Sequence, residues 1–139
     1  MPATACAINK YLDYDFGNEE YTPPAKYYLG LCSGALGTDG VITSGCEPSD
    51  ANYQRIEITN NKSFWGPAQS GSVVNIISAS FPTASSEAWG YFRSVFLADG
   101  DINTGGSVIW YYDILNPTVL IGANTEIFFE EGTIIAKRI

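Results

Sequence analysis

Residues 29–34 read LGLCSG, and the run Gly30-Leu31-Cys32-Ser33-Gly34 satisfies G-x-C-x-G, the thiol form of a nucleophile elbow. Taken as an elbow, it would make this a catalytic cysteine hydrolase, and an elbow is a strand, a sharp turn and then a helix. The residues that follow, ALGTDGVITSG (35–45), are turn formers and start no regular helix. An elbow also needs a general base, normally histidine, and the chain has 0 His. Its lysines, Lys10, Lys26, Lys62 and Lys137, sit in ordinary polar contexts. Cys32 therefore reads as a small apolar residue near the end of a buried β-strand.

Working outward from that strand, the pattern repeats. Tyr27 to Cys32 breaks strict alternation, as a strand buried on both faces does. Residues 33–52 form a long loop punctuated by Gly40, Gly45 and Pro48. Tyr53 to Thr59 alternates, with Tyr53, Arg55, Glu57 and Thr59 on one side and Gln54, Ile56 and Ile58 on the other. Further strands are expected at Ser72–Ser80, Tyr91–Ala98, Ser107–Leu115, Val119–Ile121, Thr125–Glu130 and Thr133–Lys137, with a turn at Asn116–Thr118. Short strands separated by turns predict an all-β domain, an antiparallel β-sandwich, jelly roll or small barrel. The 9 Tyr, 7 Phe, 3 Trp and 14 Gly suit that class. There is no internal repeat.

The first residues differ. Thr4 caps an expected helix whose apolar stripe is Ala5, Ile8, Leu12 and Phe16, with Gly17-Asn18 as the stop. So short a helix must lie against something, its own body or another chain, and packing on its own core is the preferred reading. Pro23-Pro24 makes NEEYTPPAK (18–26) a stiff extended link. With 139 residues the chain is expected to be one domain: residues 1–22 helix and link, residues 26–139 the β body.

Charge and chemistry narrow the function. A net charge of −8 disfavours nucleic acid and anionic membranes as partners. No apolar run is long enough to span a membrane and no signal-peptide pattern opens the chain. Asn61-Lys62-Ser63 is a formal glycosylation sequon, meaningful only in a secreted eukaryotic protein. The three cysteines, Cys6, Cys32 and Cys46, form no C-x-x-C pair, so neither a disulfide framework nor a zinc site is expected. A Cys32–Cys46 bridge is conceivable; the spacing decides nothing, and free thiols are the default.

Asp99-Gly100-Asp101-Ile102-Asn103 starts like a calcium loop, yet the sixth and twelfth positions hold Thr104 and Trp110 instead of Gly and Glu, so a hairpin loop is preferred. Glu130-Glu131 point to opposite sides of a strand end and mark a turn rather than an acid–base pair. Asp13 and Asp15 belong on the solvated side of the helix. Trp110 reads as core, while Trp65 and Trp89 lie in loops as candidate anchors, sugar-stacking platforms or pins for their own loops. No catalytic set and no cofactor or metal site emerges, and the expectation is a binding or structural protein rather than an enzyme.

Several blocks together carry a resemblance. KYLDYDFGNEEYTPPAKYYLGLCSG (10–34), NYQRIEIT (52–59), VVNIISASFPTASSEAWGYFRSVFLAD (73–99), GGSVIWYYDI (105–114) and FEEGTIIAKRI (129–139) follow one another in order. In this the chain resembles a family of small tailed-phage virion proteins, whose members are labelled tail-fibre or minor structural proteins or act as capsid cement. It departs from their pattern at CSGALGTDG (32–40), where they have a Thr-Ser-Asp-Pro type of turn. The resemblance implies a β-sandwich that assembles as a homotrimer on the outer capsid surface and clamps neighbouring major capsid proteins. Assembly would take place in the bacterial cytoplasm. On that reading Ala5, Ile8, Leu12 and Phe16, the link residues Tyr21, Pro23 and Pro24, and Trp65 are the interface candidates. A tail or tail-fibre protein is the alternative, and a carbohydrate-binding module is the rival from another class.

Overall fold

The computed structural model describes residues 1–103, 106–113 and 119–137. Thr104, the strand end Ile114-Leu115, the turn at 116–118 and Arg138 lie outside them. The structure is all-β and antiparallel, with one helix at the N-terminus.

The helix, α1, runs Ala5–Asp15. Thr4 is its N-cap: the hydroxyl oxygen accepts from the Ala7 N–H at 3.3 Å and donates to the Val108 carbonyl at 2.8 Å. One side chain thus starts the helix and ties it to the sheet. The C-terminus closes as the sequence predicts. Gly17 takes φ +74°, its N–H reaches the Tyr14 carbonyl at 3.1 Å, and the Asn18 N–H reaches that of Asp13 at 2.8 Å. This paired closure needs a left-handed residue at Gly17, which glycine supplies without strain.

A four-stranded sheet holds β1 (Lys26–Cys32), β2 (Ile56–Thr59), β6 (Ser94–Ala98) and β7 (Val108–Asp113) in the order β2-β1-β6-β7. β1 is central and buried on both faces, as its broken alternation implies. The remaining strands pair two by two: β3 (Ser72–Val74) with β10 (Ile135–Lys137), β4 (Ala79–Ser80) with β9 (Phe128–Phe129), and β5 (Gly90–Phe92) with β8 (Val119–Ile121). These pairs form one interrupted ribbon. Pairing runs from Val74 opposite Ile135 to Ala79 opposite Phe129. It continues through the Ala84 N–H to the Thr125 carbonyl at 3.0 Å and the Asn124 N–H to that of Ser85 at 2.9 Å. It ends in the β5–β8 pair, from Gly90 opposite Ile121 to Phe92 opposite Val119.

Two expected strands are therefore split. Ser72–Ser80 breaks at Asn75, which is buried and satisfies the local backbone. Its amide donates to the carbonyls of Ile77 (2.8 Å) and Glu130 (2.9 Å), and its Oδ1 accepts from the Ile134 N–H (2.8 Å). Tyr91–Ala98 breaks at Arg93, whose N–H bonds the Cys32 carbonyl at 2.8 Å as the chain passes from ribbon to sheet. The expected strand at Tyr53 begins only at Ile56, because the Tyr53 and Arg55 side chains are both drawn into a buried polar network.

Sheet and ribbon enclose the main core, with Leu29, Leu31 and Leu97 from the sheet meeting Phe81, Phe92 and Ile134 from the ribbon. Each such side chain contributes about 2 kcal/mol on burial. The sheet's other face carries a second cluster of Cys32, Leu36, Cys46, Phe96, Ala98 and Val108, roofed by the long 33–52 loop. Here the default of free thiols is corrected. Cys32 and Cys46 are disulfide-bonded, their Cα atoms 4.8 Å apart, and Cys6 alone is free. The loop folds Cys46 back on the end of β1, with the Ser33 N–H on the Cys46 carbonyl at 2.8 Å, and juxtaposition rather than sequence spacing makes the pair.

The same loop is held by charge. The Glu47 carboxylate accepts two bonds from Arg55, Nε to Oε1 and Nη2 to Oε2, both 2.8 Å, and a third from the Tyr53 hydroxyl at 2.9 Å. Arg55 Nη1 also donates to the Gly100 carbonyl at 2.6 Å, and the Tyr53 oxygen accepts from the Leu31 N–H at 3.0 Å. Burial, with the Glu47 charge beside it, pushes the Tyr53 phenol far above its ordinary pKa, so it stays a neutral donor. Asp113 fixes the loop's start, accepting from the N–H groups of Leu36 (2.9 Å) and Gly37 (2.8 Å).

Residues Met1–Thr4 form a seam between the layers. The Thr4 N–H bonds the Ile109 carbonyl at 2.9 Å and the Tyr111 N–H bonds that of Pro2 at 3.1 Å, while the Lys137 N–H bonds that of Met1 at 3.0 Å. The Met1 ammonium donates to the Ile135 carbonyl.

Candidate interaction surfaces

The predicted stripe is helical, and it does not face the core. α1 packs through Ala7, which is buried, and Tyr11, whose ring lies 6.3 Å from that of Trp110. Ala5 faces solvent, and Ile8 (44%), Leu12 (47%) and Phe16 (79%) are exposed. The preferred expectation, that the helix packs on its own body, holds, but through Ala7 and Tyr11 and not through the stripe. The sequence shows two overlapping faces, and the smaller one wins because Thr4 and Ala7 allow close approach to β7 while Tyr11 finds an aromatic partner. The stripe is thus an exposed apolar face on a helix that is already anchored.

The link residues sit at the helix's foot. Tyr21 meets Tyr11 edge-on at 5.3 Å, Pro23 is exposed, and the Pro24 carbonyl accepts from the Asn60 amide at 2.8 Å. Burial, with Tyr21 beside it, pushes the Tyr27 phenol up to about 12. Trp65 belongs elsewhere. It packs edge-on against Phe64 at 4.8 Å, in a segment that pairs antiparallel beside the end of β3, with the Gly66 N–H on the Val74 carbonyl at 2.9 Å.

Trp65 lines a cavity of about 560 Å³ between the layers, together with Tyr27, Leu97, Trp110, Val73 and Ala136. Its walls are apolar, and Asn60, Asn61 and Lys62 complete the lining. The indole Nε1 of Trp65 is buried and has no hydrogen-bond partner among the described residues. A second inter-layer cavity of about 420 Å³ lies by Leu29, Val95, Phe129 and Ile134. Neither was legible in the sequence, since each is made where two layers fail to fill the space between them.

The ribbon adds a surface that periodicity does not reveal. Tyr91 and Leu120 are cross-strand partners and both are exposed, as is Phe128. Trp89, by contrast, is pinned. Its Nε1 donates to Asp50 at 2.8 Å and its ring meets those of Tyr53 (5.2 Å) and Phe81 (6.1 Å) edge-on. Asp50 also accepts from the N–H groups of Ser85 (2.8 Å) and Asn52 (3.0 Å), and these bonds, the backbone ones foremost, hold its carboxyl down at about 2.

The loop after β6 is a hairpin tip. The Asp101 carboxylate accepts from the Asn103 N–H at 2.9 Å and that of Asp99 from the Ser107 N–H at 2.6 Å, so both carboxylates serve the turn. No three His, Cys, Asp or Glu converge as metal ligands among the described residues. Glu130 and Glu131 are exposed at a turn, with the Thr133 hydroxyl on the Glu130 carbonyl at 2.6 Å.

The family model described as podophage GP4 fiber I protein gp80 matches residues 2–137. The chain belongs to that family. It is accordingly a structural protein of a tailed-phage virion. The match runs from the N-terminal seam to the last described strand, so α1, sheet and ribbon all fall within the gp80 family's extent. No curated protein matches the chain.

Proposed function

We propose that this gp80-family protein is a component of the phage's tail-fibre apparatus, working through contact area rather than chemistry. The observation that carries this reading is the fiber description of the family over residues 2–137. The geometry is consistent with it. The outward side chains of Ile8, Leu12 and Phe16 stand on a helix whose position is already fixed, which is what a docking element requires. The polar networks around Glu47, Asp50 and Asn75 are committed to holding loops, so the chain is read as a binding and assembly protein and not as an enzyme. Its partners would be other virion proteins, further copies of itself included.

Separating virions into heads and tails, and locating this chain by mass spectrometry, tests the reading. Recovery with tails supports it. Recovery with heads in high copy replaces it with the decoration role on the outer capsid surface, with the major capsid protein as partner. Recovery with neither overturns both. A glycan array addresses carbohydrate binding separately: binding lost on Trp65→Ala would favour the sugar-recognition reading.

A further inference from the structure

The chain presents an unpartnered apolar projection and an unfilled apolar hole, and their surroundings are complementary in charge. The projection is the C-terminal end of α1, where Leu12 and Phe16 face outward. Asp13, Asp15, Glu19 and Glu20 surround it in sequence. α1 has no basic residue in its last turn, so the negative end of the helix dipole adds to these carboxylates. The hole is the cavity of about 560 Å³ walled by Tyr27, Trp65, Val73, Trp110 and Ala136. In a chain with 15 acidic and 7 basic residues, its lining includes Lys62 and no carboxylate. Lys62 has no ion-pair partner among the described residues. The buried Trp65 Nε1 is a donor without an acceptor among the described residues, which costs free energy until one is supplied.

We infer that the cavity beside Trp65 receives the Leu12–Phe16 end of α1 from a second copy of this chain. The aromatic ring fills apolar space, the carboxylates approach Lys62, and the neighbour's helix end brings oxygen acceptors toward Trp65 Nε1. The α1 of the same chain is not the occupant. Thr4 and Tyr11 fix it against β7, and Phe16 stands 79% exposed. Projection and hole are different surfaces, so the contact is heterologous and propagates from copy to copy until a ring closes. Charge complementarity at its rim sets register and on-rate. The contact goes beyond the fibre assignment, and it holds whether the chain is found on tails or on heads.

The test is the solution mass of the full chain by light scattering, read against the 15.0 kDa of one copy. Wild type is expected at a multiple of that mass. Phe16→Glu changes an exposed side chain, so it should keep the far-ultraviolet circular dichroism and fall to a single-copy mass. Lys62→Glu should weaken association at least tenfold, and adding Glu19→Lys with Glu20→Lys should restore it. Wild type of single-copy mass at every concentration overturns the proposal. So does a folded Phe16→Glu protein that keeps the wild-type mass, or a charge reversal that fails to rescue Lys62→Glu. Should Phe16→Glu fail to fold, Leu12→Lys gives the same reading from the neighbouring exposed position.

Discussion

Gly30 lies directly beneath the ring of Phe96. The two are partners across the β1–β6 ladder, and a Cβ placed on Gly30 would stand 2.3 Å from the Phe96 Cζ. Phe96 is fully buried at the centre of the second cluster, with the Arg55 guanidinium 5.1 Å from its ring centroid. Gly30→Ala must therefore displace the ring and the cation above it. The expected cost is about 1–3 kcal/mol, in the range of an overpacked core, and urea unfolding of the two proteins measures it.

Glu47 holds the second cluster closed. Removing it takes a bidentate carboxylate from the Arg55 guanidinium, 2% exposed, and the acceptor from the Tyr53 hydroxyl. Glu47→Ala is expected to destabilise by about 3–5 kcal/mol, the usual result of orphaning one member of a buried pair. Equilibrium denaturation reads the loss. Glu57→Ala, which breaks the exposed pair with Lys26, should leave the denaturation midpoint nearly unchanged.

The Cys32–Cys46 bond closes a loop with a sequence separation of 14. A loop near that length is worth about 3 kcal/mol in the unfolded chain, so reduction should lower Tm by roughly 6–12 °C at about 2–4 °C per kcal/mol. Thiol titration of the unfolded, unreduced protein should find only Cys6, and reduction should expose all 3 cysteines.

Asp50 gives the acid limb its shape. Its carboxyl is held at about 2, below the ordinary 3.8, foremost by the N–H of Ser85. A depressed acid stabilises the fold fully above its unfolded value. Its contribution fades as pH falls below about 4 and is gone below its folded value. Asp50→Asn should flatten that part of a Tm-versus-pH curve. It should also shift the Trp89 fluorescence, because the indole N–H loses its carboxylate. A wild-type curve that matches the variant's below pH 4 would show that Asp50 does not set this limb.

What the sequence made legible was local. Thr4 and Gly17 bracket the helix because capping is a matter of a few neighbouring residues. The Tyr27–Cys32 strand announces itself by apolar residues on both faces. The histidine count removes the elbow reading of Cys32 whatever the fold. What was hidden depends on residues far apart in the chain. Which face of α1 turns inward was decided by Trp110, and the Cys32–Cys46 bond by a loop anchored at Asp113. The breaks at Asn75 and Arg93 came from their pairings with Ile134 and Cys32. The interface candidates divide in the same way. Ile8, Leu12 and Phe16 share an exposed helix face, Tyr21 and Pro24 pack at its foot, and Trp65 lines a cavity that no periodicity forecasts. The order of short blocks pointed to a phage virion family, and the family match bears that out. The capsid-cement reading drawn from the same resemblance was finer than the match, whose description is a fiber protein.

The Met1–Thr4 seam has a consequence for synthesis on the ribosome. Met1 precedes Ile135, in one of the seam's two neighbouring strands, by 134 positions. A nascent chain that has not yet released that strand can form α1 and the β1–β2 pair, but the join between its layers stays open. Until then β3, which β10 will pair, and the outer side of the seam have unpaired backbone groups, a template for the wrong strand. Closure of the two layers is therefore a late event, and its slowest contacts are those between Met1 and the Ile135–Lys137 strand.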